Sequence, residues 1–155
     1  MANTVKIKKY LDIIEEIEAS GTITPGMLLE LDSDGKVKAH SGEGEDVLPM
    51  FALEDELQGK TINDNYTSGQ PVQVWIPVRG EQVLAELADD ENVSIGDFLC
   101  SDGNGRLKKY EAISSTAGLT VYQEVIVGQA LEAVDLSTST GAWGDSGQKI
   151  KIRVI

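Results

Sequence analysis

The feature of this sequence that most constrains its fold is an internal repeat of short motifs. The first copy contains ITPGMLL at 23–29, GKVK at 35–38, ALE at 52–54 and GQPVQVWI at 69–76. The first two motifs have counterparts 70 positions later, VSIGDFL at 93–99 and GRLK at 105–108. The last two have counterparts 78 positions later, ALE at 130–132 and GQKIKIRV at 147–154. Matched motifs in one order predict two copies of one unit, over about 23–80 and 93–155. Turn chemistry that recurs in any β protein is the alternative explanation.

The repeated units have the pattern of short β-strands. Apolar runs are separated by Gly, Asp, Asn and Ser, as in the predicted hairpin at 27–39 and the alternating strand at 71–78. Similar strands are expected at 121–127 and 150–155, with an insertion around 114–118 in the second copy. One such unit exposes too much apolar surface to be stable alone. We therefore predict one mainly β domain over 21–155, an internally duplicated barrel or sandwich whose copies pair about a pseudo-twofold axis.

Residues 1–20 differ from the rest of the chain. Val5 and Ile7 alternate with lysines, and five apolar residues then follow with roughly helical spacing: Tyr10, Leu11, Ile13, Ile14 and Ile17. The pattern predicts an N-terminal arm followed by a short amphipathic helix. The β-branched isoleucines are also compatible with a strand.

Charge limits the classes of partner. Thirteen Lys and Arg stand against 26 Asp and Glu, for a net charge of −13. Such a surface repels nucleic acid and anionic membranes, so we expect neither as a partner. The negative charge is compatible with a partner protein whose surface is basic. The sequence has no signal peptide pattern and no apolar run long enough to span a bilayer, which predicts synthesis in a cytoplasm.

Residues suited to catalysis are scarce. His40 is the single histidine and lies in a polar stretch, where we expect a solvated loop residue. Cys100, the single cysteine, follows Phe98 and Leu99 and is expected to be a buried small hydrophobe. The stretch 32–35 resembles the start of a calcium loop, but its glycine comes too early, which favours a β-turn. The acidic runs at 43–46 and 89–91 are typical of solvated loops. No catalytic residue, metal site or cofactor is predicted, and we expect a protein that is not an enzyme.

Several motifs together resemble the capsid decoration (cement) proteins of tailed bacteriophages. The resemblance rests on residues 1–8, 23–31, 51–54 with 59–62, 66–74 and 96–99. It implies a structural protein of the virion that binds the major capsid protein on the outer surface of the head. It also implies a homotrimer that bridges neighbouring capsomers. A virion-surface module that recognises a carbohydrate or receptor is the alternative, and an enzyme on a duplicated β barrel is the least supported class.

The N-terminal segment is the predicted docking arm, because chain termini are readily ordered on a partner. The candidate interface residues are Val5, Lys6, Ile7, Lys8, Lys9, Tyr10 and Leu11, which combine apolar anchors with a basic cluster, and Trp143 in a Gly-rich loop. The alternative is that the segment packs on its own domain. Trp75, in an alternating strand, is expected in the core.

Overall fold

The computed structural model describes residues 3–111, 124–138 and 149–155, and these are mainly β, as predicted. The elements in chain order are β1 Lys6–Lys8, β2 Ile14–Glu18, β3 Leu29–Leu31, β4 Val37–Ala39, β5 Phe51–Ala52, the 3-10 turn η1 Glu56–Gln58, β6 Pro71–Trp75, β7 Gln82–Glu86, β8 Asn92–Val93, β9 Phe98–Ser101, β10 Leu107–Lys109, β11 Ile126–Ala130, β12 Val134–Asp135 and β13 Lys149–Val154. The predicted insertion at 114–118 and the first part of the predicted strand at 121–127 lie outside the described residues.

The strands form antiparallel sheets, one set in each half of the chain. The first half contains the sheet β2-β6-β5 and the hairpin β3-β4, and the second contains the order β7-β13-β11-β9-β10, with β1 added beside β7. A further pair, β8 and β12, lies in the second half. No closed barrel forms among the described residues, so of the two predicted architectures the sandwich-like one is observed.

The predicted internal duplication is visible in the strand registers. β2 pairs with β6 over five residue pairs, from Ile14–Trp75 to Glu18–Pro71. β7 pairs with β13 over five residue pairs in the corresponding register. The hairpins β3-β4 and β9-β10 also share one register. Even the isolated parallel bridges correspond, since Ala19 pairs with Val37 and Leu87 pairs with Leu107. The repeated unit therefore includes β2 and β7, which the sequence motifs did not reveal.

The N-terminal helix prediction is wrong, because residues 14–18 form strand β2. A helix this short is marginal in isolation, whereas pairing with β6 satisfies its backbone groups. The β-branched side chains of Ile14 and Ile17 fit this extended state.

Two apolar clusters form the core. One cluster consists of residues of the first half and includes Ile23, Val37 and Val74. The other joins the halves and contains Phe51 and Trp75 together with Val83 and Ile152. The prediction that Trp75 belongs to the core is confirmed, since it is fully buried.

The two halves pack head to tail, so the predicted pseudo-twofold is wrong. The Gly26 carbonyl accepts from the Glu86 N–H at 2.9 Å, and the Leu28 N–H donates to the Gly105 carbonyl at 2.8 Å. A twofold axis would give the same contacts at Gly96 and Gly35, but both glycines are exposed and a Cβ there would meet nothing within 4 Å in the structure. A contact between different surfaces of related units is heterologous.

His40 lies at this junction and is buried, which corrects the prediction of a solvated residue. Its Nδ1 atom is 2.8 Å from the Ser101 hydroxyl oxygen, and its carbonyl accepts from the Gly105 N–H at 3.0 Å. These partners come from the other half of the chain. The polar sequence around His40 therefore gave no indication of its burial.

Candidate interaction surface

The start of the predicted docking arm is part of the domain. Val5 is fully buried, its N–H donates to the Glu54 carboxylate at 3.0 Å, and its carbonyl accepts from the Leu84 N–H at 2.8 Å. β1 then continues along the edge of β7, with Lys6 half-buried and Ile7 packed against the core. Val5 is therefore not available to a partner, and at β1 the structure has the alternative of the two predictions, in which the segment packs on its own domain. A buried valine and a paired strand are more stable than a solvated apolar tail.

The chain beyond β1 presents two large apolar side chains to solvent. Tyr10 is 64% exposed and Leu11 is 57% exposed. Both backbone N–H groups donate to one oxygen of the buried Glu81 carboxylate, the Leu11 bond being 2.8 Å long. The second Glu81 oxygen accepts from the Val78 N–H at 2.7 Å. Glu81 thus holds the backbone in place beneath the exposed side chains.

Three lysines, Lys6, Lys8 and Lys9, precede these two residues in the chain. The Lys8 ammonium lies 5.4 Å from the centre of the Tyr10 ring, a cation–π distance. Lys9 forms an ion pair with Asp12, and Lys6 lies 3.5 Å from the same carboxylate. The Lys9 hydrogen bond holds the pKa of Asp12 below its ordinary value. The segment is thus a basic and apolar area on an acidic protein.

The exposed apolar area extends beyond the predicted residues. Ile13 and Ile14 are exposed, and Leu57 in η1 is 96% exposed. Ile14 and Leu57 line one groove together with Lys6, Leu53, Glu54, Asp55, Glu56 and Gln73. We call Tyr10, Leu11, Ile13, Ile14 and Leu57 the N-terminal patch. The prediction of a helix did not place Ile14 on a strand, and no local sequence pattern indicated that Leu57 lies beside it.

His40 and Ser101, two residues whose side chains are suited to catalysis, are buried in structural roles. His40, Ser101 and Glu30 form a chain of contacts, with 3.7 Å between the His40 Nε2 atom and Glu30. Ser101 is buried and its hydroxyl accepts from the Gly103 N–H at 3.1 Å, so a substrate cannot reach it.

Cys100 is buried, as predicted, and burial beside Glu124 raises the pKa of its thiol to about 12. At neutral pH such a thiol stays protonated and unreactive.

Acidic residues do not assemble into a metal site in the part of the chain that the structure describes. The Asp32 carboxylate instead accepts from the N–H groups of Asp34 and Lys36, at 2.9 and 3.0 Å. These hydrogen bonds belong to the predicted β-turn.

Trp143 lies outside the described residues, so the structure does not place it relative to the N-terminal patch. Within the described ranges, no helix has the length and hydropathy that a bilayer crossing requires. Comparison with protein-family models finds no match, and a search of curated proteins finds none either. The assignment of function therefore depends on the surface itself and on the sequence resemblance.

Proposed function

We propose that this protein is a capsid decoration protein that binds the outer surface of a tailed-phage head and stabilises contacts between capsomers as a homotrimer. The observation that carries the proposal is the N-terminal patch. Its large apolar side chains are exposed, and a buried carboxylate holds the backbone of Tyr10 and Leu11 in place. An exposed cluster of this kind on a soluble domain is typical of a protein interaction site.

The patch has the composition of a docking site. Tyrosine is enriched among residues that dominate binding energy, because its ring buries a large area with few rotatable bonds. Lys8, whose ammonium lies over the Tyr10 ring, adds a charge that an acidic partner surface would complement. The fixed backbone reduces the entropy that binding costs.

The remaining surface is suited to a role outside a DNA-filled shell. A net charge of −13 opposes binding to packaged DNA and keeps the free protein soluble before it binds. A modest interface in each copy, repeated over a shell, opposes the separation of capsomers through multiplicity.

Co-sedimentation with phage capsids that lack this protein tests the proposal. We expect the purified protein to pellet with capsids at a fixed stoichiometry and to be trimeric by light scattering. Replacing Tyr10 and Leu11 by serine should raise the dissociation constant by about tenfold or more, because truncating interface anchors commonly costs more than ~1.4 kcal/mol.

Leu48→Ser is the matched control, since Leu48 is also exposed but lies outside the patch. It should bind as the wild type does, and circular dichroism should show the same β content for all variants. A wild-type protein that never pellets with capsids, or a double variant that binds unchanged, would overturn the proposal. Point substitutions are used because deleting residues 1–18 would also remove β1 and β2.

A further inference from the structure

Among the residues that the structure describes, the head-to-tail contact between the halves leaves one copy of each contact surface uncovered. In the first half, the forward face includes Pro25, Gly26, Leu28 and Trp75. It packs on the rear face of the second half, which is formed by Gly105 and the Glu86 end of β7, while the rest of the outer edge of β7 pairs with β1. Because the halves share one strand register, the second half also has a forward face and the first half also has a rear face.

The uncovered forward face is exposed at the positions that are buried in the first half. Leu28 is fully buried, whereas its counterpart Phe98 is 42% exposed. On the same face, the buried residues Pro25, Gly26 and Trp75 have the exposed counterparts Ile95, Gly96 and Arg153, respectively. The row Phe98, Gln129 and Arg153 runs across three neighbouring strands on one face of the sheet.

The uncovered rear face shows the same difference. Leu84 and Glu86 on β7 are buried, and their N–H groups donate to the carbonyls of Val5 and Gly26. Their counterparts Glu16 and Glu18 on β2 are exposed, and β2 has no strand on its outer side among the described residues. Gly35, the counterpart of the buried Gly105, is exposed as well.

We propose that the forward face of the second half binds the rear face of the first half of a second copy of this chain, repeating the contact within each chain. The backbone groups correspond, since Glu18 is the counterpart of Glu86, whose N–H donates to the Gly26 carbonyl, and Gly96 is the counterpart of Gly26. The Gln129 side chain, which donates to the Gly96 carbonyl at 3.2 Å, would release that carbonyl on binding. A second copy is the occupant that fits, because each free surface is the counterpart of a surface that already has its partner on this chain.

The side chains are complementary in charge. Arg153 replaces Trp75 on the forward face, while Glu16 replaces Leu84 on the rear face. A contact within a chain forms during folding and can be apolar, whereas surfaces that meet after folding must first be solvated. Interfaces of the second kind are accordingly more polar.

This inference deepens the self-association in the proposed function and gives it a direction. A contact between two different surfaces makes a ring when successive rotations close and an open chain when they do not. It also excludes an arrangement in which one face binds a second copy of itself.

Crosslinking between two cysteine variants tests the direction. Glu18→Cys and Ile95→Cys are made in separate chains and treated with a short bismaleimide, alone and mixed. The internal counterparts, Glu86 and Pro25, are adjacent, because Lys149 contacts both. We expect a covalent dimer in the mixture and none with either variant alone, with the wild type, whose Cys100 is buried, as the control.

Product from a single variant would indicate a face that binds itself and would overturn the inference. Absence of product from the mixture, under conditions where light scattering shows the wild type to be oligomeric, would overturn it too. A wild-type protein that is monomeric at its highest soluble concentration would have the same consequence.

Charge substitution tests the same contact without cysteines. Replacing Phe98 and Arg153 by glutamate should raise the dissociation constant of self-association by about tenfold or more, because the new charges would face the like charges of Glu16 and Glu18. Lys60→Glu makes a comparable charge change away from both faces and should leave association unchanged. Unchanged association of the double variant would overturn the inference, and its circular dichroism and melting temperature verify folding.

Capsid binding is measured separately. A protein that self-associates through these faces but never pellets with capsids would overturn the proposed function and leave this inference standing. A protein that pellets with capsids as a monomer would overturn this inference and leave the capsid-binding role standing.

Discussion

At the residue scale, buried carboxylates hold the N-terminal segment on the domain. Glu81 is fully buried and its two oxygens accept from three backbone N–H groups, while Glu54 accepts from that of Val5. Hydrogen bonds to a charged acceptor are roughly twice as strong as neutral ones. These carboxylates therefore stabilise the backbone that carries Tyr10 and Leu11.

We expect Glu81→Gln to lower the free energy of unfolding by about 2 kcal/mol, because it removes the charge and one acceptor oxygen from a buried site. Urea denaturation followed by circular dichroism measures the change. Glu15→Gln is the control, since Glu15 is exposed on β2 and should change stability little. Equal effects of the two substitutions would contradict this role of Glu81.

At the element scale, two hairpin turns have the same design but different support. Asp32 Oδ1 accepts from two N–H groups in the β3-β4 turn, and Asp102 Oδ1 does the same in the β9-β10 turn. The second Asp102 oxygen also accepts from Arg106 Nε at 2.9 Å, and Arg106 pairs with Asp89 at the same distance. Lys36 and Arg106 both form ion pairs outside their turns, with Glu18 and Asp89, but only in the second turn is the accepting aspartate itself ion-paired.

Alanine at Asp102 should lower the melting temperature more than alanine at Asp32. Asparagine keeps the accepting Oδ1 atom but loses the charge, so it should restore most of the loss at position 32 and only part of the loss at position 102. Thermal unfolding of the four variants provides the comparison. Equal rescue by asparagine at both turns would show that the Arg106 ion pair adds nothing.

At the scale of the whole molecule, a buried ion pair lies where the halves meet. Glu86 and Lys149 are both almost fully buried, and Lys149 also donates to the Pro25 carbonyl of the first half at 3.0 Å. Burial raises the pKa of Glu86 above its ordinary value of 4.5 despite the Lys149 charge. Breaking one partner of such a pair is far more costly than replacing both.

We expect Lys149→Met to destabilise the protein by about 3–5 kcal/mol at about pH 8, because Glu86 is left charged, buried and unpaired. In the variant the folded-state pKa of Glu86 lies above its unfolded value. The loss is therefore full above the folded pKa and shrinks as the pH falls below that pKa towards 4.5, because Glu86 in the folded state takes up a proton over this range.

Melting temperatures of the variant and the wild type at several pH values measure this dependence. The double variant Glu86→Leu with Lys149→Met serves as the control, since it removes both charges and should recover much of the stability at the higher pH. A loss that stays constant between about pH 5 and about pH 8 would contradict the account.

The sequence by itself determined the class of fold and its duplication. Alternating apolar residues and turn-forming glycines report local geometry, and the motifs around Gly26 and Gly96 recur because both halves need the same turn, with φ of +94° and +92°. The burial of Cys100 and Trp75 followed from their positions in apolar strands. These are all properties of neighbouring residues.

Only the tertiary structure decided how the halves pack and which surfaces they leave free. The burial of His40 depends on Ser101, 61 residues away, and that of Val5 depends on Glu54 and Leu84. The strand state of 14–18 depends on pairing with β6, which a helical spacing of isoleucines does not reveal. Such contacts bring together distant segments whose local patterns are compatible with several partners, so the free energy of packing selects among them.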